Sequence, residues 1–124
     1  MTEPLRVELS YEGRSLCLAL CGELTDGTAA MLDEYLAHAF DSTRPHLVLD
    51  VLGLQFCDSV GLSALIGGQR LADLAGGRMV LRGVHGMLER VLHITGARGL
   101  FTVVGGDAAD RAVAAGTDRA DELA

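Results

Sequence analysis

The stretch Asp50-Val51-Leu52-Gly53-Leu54-Gln55-Phe56-Cys57-Asp58-Ser59-Val60-Gly61-Leu62 constrains the fold more than any other part of the chain. An apolar run with strand character ends in Asp-Ser, and an apolar run with helix character begins at once. Ser59 therefore stands where a strand hands over to a helix. That position puts a hydroxyl at the surface and at the positive end of a helix dipole, where a phosphate is well held.

The surrounding sequence builds the frame this handover needs. Leu5, Val7 and Leu9 alternate with Arg6, Glu8 and Ser10, as in a half-buried strand. A turn at Tyr11-Glu12-Gly13-Arg14 leads into Ser15 to Cys21, apolar on both faces, so the pair reads as a hairpin with its second strand inside a sheet. Gly22-Glu23-Leu24-Thr25-Asp26-Gly27 closes it, with Thr25 and Asp26 predicted to cap the helix that follows. That helix is predicted from about Thr28 to Phe40, with Met31, Leu32, Tyr35, Leu36, Ala39 and Phe40 as its apolar stripe. Asp41 to Pro45 is a loop, and His46 to Leu52 a third strand, buried on both faces.

A second helix starts at Asp58 or Ser59 and extends to about Ala75, with Leu62, Leu65, Ile66, Leu71 and Leu74 as core candidates. Gly67-Gly68 within it cost about 1 kcal/mol each relative to Ala, which implies close packing there. Gly76-Gly77 stop the helix, Arg78 to Gly83 form a fourth strand, and Gly86 to Thr95 a short helix with Met87, Leu88, Val91 and Leu92 inward. Leu100 to Val104 is a last strand, and the Ala-rich tail, residues 105–124, is predicted to be helical and to fray. The prediction is an α/β fold: one domain over residues 1–124 with its core at about 5–104, and a mixed, mostly parallel sheet of four to five strands covered by about four helices.

Composition narrows the function. The chain has 124 residues, is 49% hydrophobic and only 4% aromatic, so its core must be aliphatic. A net charge of −7, with the ten basic residues scattered, argues against nucleic acid and against anionic membranes. Met1-Thr2-Glu3-Pro4 has no signal-peptide character and no apolar run approaches membrane-spanning length, so a cytoplasmic protein is expected. Three cysteines, an odd number, suit free thiols. Cys17 and Cys21 lie roughly 13 Å apart on an extended strand and can neither bridge nor share a metal.

Enzymatic chemistry finds little support. Cys57, Ser59, His85 and His93 are the candidate nucleophiles and bases, yet no Gly-x-Ser-x-Gly surrounds Ser59 and no triad setting is recognisable. His38, His46, His85 and His93 show no metal-ligand spacing, and Gly67-Gly68 and Gly76-Gly77 do not follow a strand as a phosphate-cradling loop would. No catalytic residue, metal or cofactor is therefore assigned. Ser59 itself has two readings. It is an N-cap, its oxygen accepting a backbone N–H, or it is a phosphoacceptor whose phosphate lies over the N–H groups of Val60, Gly61 and Leu62 with Asp58 beside it. Ser63, one helical turn on, is a solvated serine, part of the same surface or a secondary phosphosite.

With Gly22-Glu23-Leu24, Asp58-Ser59-Val60-Gly61-Leu62, Gly76-Gly77, Leu88-Glu89-Arg90-Val91-Leu92, Thr95-Gly96 and Gly99-Leu100-Phe101 in this order, the chain resembles the STAS domain, the anti-sigma factor antagonist family, over roughly Leu5 to Val104. The resemblance implies that an anti-sigma factor with serine kinase activity phosphorylates Ser59. It further implies that the unphosphorylated form binds this kinase and frees a sigma factor, with a phosphatase resetting the switch, in a transcription or stress response. Docking is expected at Asp58, Ser59, Val60, Gly61, Leu62 and Ser63, bordered by Thr25 and Asp26. A homodimer is compatible with this scheme. The sequence departs from many antagonists in carrying Thr25, not Asp, directly after Gly22-Glu23-Leu24, with Asp26 following. Two alternatives are a non-switching STAS subunit of a lipid-transport or stress-signalling complex and, more remotely, a small enzyme.

Overall fold

The computed structural model describes residues 4–40 and 46–105. Among these, β1 (Arg6–Glu12) and β2 (Ser15–Leu24) form the opening hairpin, followed by α1 (Ala29–Phe40), β3 (His46–Cys57), α2 (Ser59–Leu74), β4 (Arg78–Arg82), α3 (Gly86–Thr95), a 3-10 turn (Ala97–Leu100) and β5 (Thr102–Val104). The five strands lie in the order β1-β2-β3-β4-β5, with β1 antiparallel to β2 and every other pair parallel. The order advances in one direction across the sheet, so right-handed crossovers put α1, α2 and α3 on the same face.

That face holds the main core. Leu18, Leu20, Leu47, Leu49, Val51, Met79 and Leu81 project from the sheet onto Leu32 and Leu36 of α1, Leu62 and Leu65 of α2, and Leu88 and Leu92 of α3. The opposite face carries a smaller apolar cluster of Cys17, Val48 and Val80. Next to it, Arg82 is buried and bonded to Glu12 (2.8 and 3.0 Å) and to Asp50 (3.0 Å), with Cys17 Sγ at 3.5 Å. This ion cluster ties β1, β3 and β4 together across the sheet.

The mixed sheet is as predicted, while several boundaries move. β2 continues through Gly22-Glu23-Leu24, which the sequence reading made a closing turn, because these residues still pair with Leu54, Phe56 and Cys57. β3 does not end at Leu52 but runs to Cys57. Its pairing with β2 slips twice, between Ala19 and Cys21 and between Gly22 and Glu23, each time giving β3 an extra residue. Its inward residues beyond Val51 are therefore Leu54 and Cys57, three apart, which breaks the period of two that marks a strand in sequence.

The second helix ends where predicted. Gly76 adopts φ +67 and the Gly77 N–H donates to the Ala72 carbonyl at 2.8 Å, closing the helix in a left-handed cap. Two of its expected core residues are outside: Leu74 is 86% exposed and Leu71 36%. The Gly pair divides. A Cβ on Gly68 would press on Leu36 and Met79, so this glycine permits α2 to approach α1 and β4, whereas Gly67 faces open space. On α1, Met31 is exposed and Ala29 takes a place in the core. The last strand is shortened to three residues because Leu100 belongs to the 3-10 turn. Three of the about four expected helices occur among the described residues. The loop predicted at Asp41 to Pro45 and the helical tail predicted over residues 105–124, apart from Gly105, lie outside the described residues.

Candidate functional site

The β3–α2 junction is organised around Asp58. Its backbone is extended (φ −92, ψ −175), and its Oδ1 accepts the Gly61 N–H at 2.8 Å, so Asp58 is the N-cap and Ser59 the first helical residue. The reading of Ser59 as an N-cap is thereby corrected: the neighbouring carboxylate already holds that position. Asp58 Oδ2 accepts the Asp26 N–H at 3.1 Å, drawing the β2–α1 loop to the same place. The Asp58 N–H donates to the Leu24 carbonyl at 3.1 Å, and its own carbonyl accepts the Leu62 N–H at 2.8 Å. One residue thus links the end of β2, the start of α2 and the loop between β2 and α1.

Gly61 makes this junction possible by size. A Cβ there would clash with the Leu24 carbonyl and side chain, so any larger residue drives α2 off the end of β2. Gly61 and Leu62 are both buried; of the residues expected to dock a partner, these two support the surface from beneath. Ser59, Val60 and Ser63 are exposed, as is Asp26, while Thr25 is half-buried. Thr25 and Asp26 were expected to cap α1. Thr25 serves the helix entry, its carbonyl accepting the N–H groups of Thr28 and Ala29 and its Oγ1 that of Gly27. Asp26 enters through the bond to Asp58. The Thr28 hydroxyl accepts the Thr25 N–H and donates to the Glu23 carbonyl.

With Asp58 as cap, the Ser59 hydroxyl makes no hydrogen bond within the described residues and stands at the first turn of α2 beside a carboxylate. The turn's free N–H groups differ from those expected: Gly61 and Leu62 donate to Asp58, which leaves those of Ser59 and Val60. Val60, next along α2, is 45% exposed, and Phe56, near the end of β3, is 44% exposed. Phe56 escaped the sequence reading because the third strand was expected to end at Leu52, whereas β3 runs on to Cys57. The arrangement offers an accessible hydroxyl, fixed negative charge next to it, and apolar surface for a protein partner.

The other candidate nucleophiles behave as packing groups. Burial pushes the Cys57 thiol up to about 12, with the Asp58 charge adding to the effect, so it remains a thiol at neutral pH. Cys17 is raised to about 11 by burial and then by Glu12. All three cysteines are free. His85 lies at the start of α3 with its Nε2 2.8 Å from the Leu52 carbonyl, a contact that fixes the β3 bulge to α3. No helix among the described residues is long and apolar enough to cross a membrane.

A five-stranded sheet of this order, with a serine at the strand–helix junction, defines the class, and comparison with known proteins agrees. The family described as Mlab, STAS domain, matches residues 7–104. The chain belongs to the STAS-domain family. An anti-sigma F factor antagonist of Paenibacillus polymyxa is 31% identical over 93 residues, covering 74% of this chain and 80% of that protein. Among solved structures, an anti-sigma factor antagonist from Mycobacterium paratuberculosis superposes with a TM-score of 0.73 at 21% identity, covering 83% of this chain and 89% of the other. The Bacillus cell fate determinant SpoIIAA in its phosphorylated form gives a TM-score of 0.64 at 16% identity, covering 97% and 99%.

Proposed function

We propose that this chain is a cytoplasmic anti-sigma factor antagonist whose binding is switched by phosphorylation of Ser59. The unphosphorylated form docks an anti-sigma factor with serine kinase activity through Ser59, Val60, Ser63 and Phe56, with Asp26 at the border, and so frees a sigma factor. The observation that carries this reading is the exposed Ser59 hydroxyl, relieved of the capping role by Asp58. The relationship to a protein named as an anti-sigma F factor antagonist supports it.

The switch follows from local electrostatics. A phosphate brings about −1.5 to −2 charges. On Ser59 it lies beside Asp58, within a loop cluster that includes Asp26, on a chain already at −7. The Ser59 and Val60 N–H groups and the α2 dipole stabilise it, while a partner surface shaped for a hydroxyl and apolar side chains meets repulsion and a desolvation cost. Little rearrangement of the fold is required, and a phosphatase restores binding.

The test is partner affinity. Ser59→Ala binds the anti-sigma factor constitutively and resists phosphorylation by it with ATP, whereas Ser59→Asp binds poorly. Equal affinity of the two variants contradicts the switch. A second reading within the same family is a non-switching STAS subunit of a lipid-transport or stress-signalling complex. Purification with a membrane ATPase or a large particle, together with indifference to Ser59→Asp, selects that reading.

A further inference from the structure

The two edges of the sheet are unlike. β5 is three residues long, a common way to blunt an edge. β1 has seven residues, pairs with β2 in unbroken register, and contains no proline, no lysine and no bulge. A long regular edge of this kind is a template for another strand. Its side chains are divided by face. Val7, Leu9 and Tyr11 lie opposite Leu20, Leu18 and Leu16 on the helix side, and Leu9 and Tyr11 are 52% and 63% exposed. Arg6, Glu8, Ser10 and Glu12 lie on the other side.

The hairpin fixes which backbone groups point outward. Its two-residue turn, Gly13-Arg14, makes Glu12 and Ser15 the closing hydrogen-bonded pair. Counting back by twos, Ser10, Glu8 and Arg6 bond to β2, and Val7, Leu9 and Tyr11 direct their N–H and C=O groups away from the sheet. The residues with outward backbone groups are the apolar ones.

We propose that β1 is a self-association surface on which a second copy of this chain pairs antiparallel, β1 to β1, joining the two sheets. Charge selects the register. With the two-fold axis at Leu9, Leu9 faces its own copy, Val7 faces Tyr11, Glu8 faces Ser10 and Arg6 faces Glu12, so apolar groups meet and the charges are opposite or neutral. Moving the axis to Glu8 sets Glu8 against its copy, and moving it to Ser10 sets Glu8 against Glu12, both repulsive. An axis at Val7 pairs only the first part of the strand. Registers offset by half a step match outward backbone groups with groups already bonded to β2. The pairing does not use the Ser59 junction, so each dimer presents two switch sites.

The test is sedimentation of the full chain over a concentration series, with Leu9→Pro and Leu9→Lys. Proline at an outward-facing edge position leaves the β1–β2 ladder intact and removes a donor needed by the second copy; lysine places like charges at the axis. The wild-type average mass is expected to rise from 13.0 kDa toward twice that value. Both variants stay at the single-chain mass with wild-type circular dichroism. If Leu9→Pro fails to fold, Leu9→Lys decides alone. A wild-type chain that stays single throughout, or a folded Leu9→Lys that dimerises as well as wild type, overturns the proposal.

Discussion

β3 carries a polar network on its face and another at its end, and the two have opposite designs. On the face, Arg82 is buried and holds Glu12 in a forked pair and Asp50 by a second bond. Those bonds, Glu12 first, keep the guanidinium charged beyond its usual range. At the end, Asp58 gives both carboxylate oxygens to backbone N–H groups, from Gly61 and Asp26, and the hydroxyl next to it is left to solvent. The first network has strong charge and a buried cation; the second has modest charge and an exposed hydroxyl. Charge alone marks neither as functional: accessibility beside a fixed geometry is what makes the end of β3 the candidate site, while the face serves as a structural clasp.

Four substitutions and a pH series separate these roles. Arg82→Ala strands two carboxylates against the sheet and is expected to lower unfolding free energy by about 3–5 kcal/mol, measured by urea denaturation, with the fold at the Ser59 junction and partner affinity unchanged below the transition. A loss of partner binding without loss of stability would move the functional boundary onto the sheet face. Gly61→Ala forces a methyl against the Leu24 carbonyl and should cost about 2–3 kcal/mol, weakening partner binding as well because α2 shifts. Asp58→Ala removes the cap and the loop contact, for a loss of about 1–2 kcal/mol. Ser59→Ala should change stability by less than about 0.5 kcal/mol; a loss near that of Asp58→Ala would return Ser59 to a capping role.

The pH series probes burial near both networks. Cys17 and Cys57 bind their protons more tightly when folded, at about 11 and 12, than at the ordinary thiol value of 9.0. Their contribution is intact below pH 9 and declines as pH rises, by about 1.4 kcal/mol per pH unit for each thiol. Cys17 stops contributing to the slope near pH 11 and Cys57 near pH 12. Denaturation between pH 9 and 10.5 checks this, and Cys57→Ala should reduce the slope by about half. An unchanged slope would show that Cys57 is reached by water.

The sequence made the mixed sheet and the position of Ser59 legible because both rest on local signals. Period-two alternation marks β1, the apolar run marks β2, and Asp-Ser between two apolar runs marks the junction. Features set by long-range geometry were hidden. The bulges that carry β3 to Cys57 and turn Leu54 inward depend on register with β2, which no local pattern encodes. Whether Asp58 or Ser59 capped α2 was undecided because both side chains suit the position. The Arg82 cluster joins residues 70 and 32 positions apart, and Arg82 looked like any surface arginine. The Gly61 constraint was equally silent, since the atom it avoids belongs to Leu24.

Peptide mass spectrometry of the chain, purified from its native cells in growth and under stress, tests the switch most directly. The account predicts phosphate on Ser59, on neither Ser63 nor Thr25, with an occupancy that changes between conditions. A Ser59 that is unmodified in every condition contradicts it.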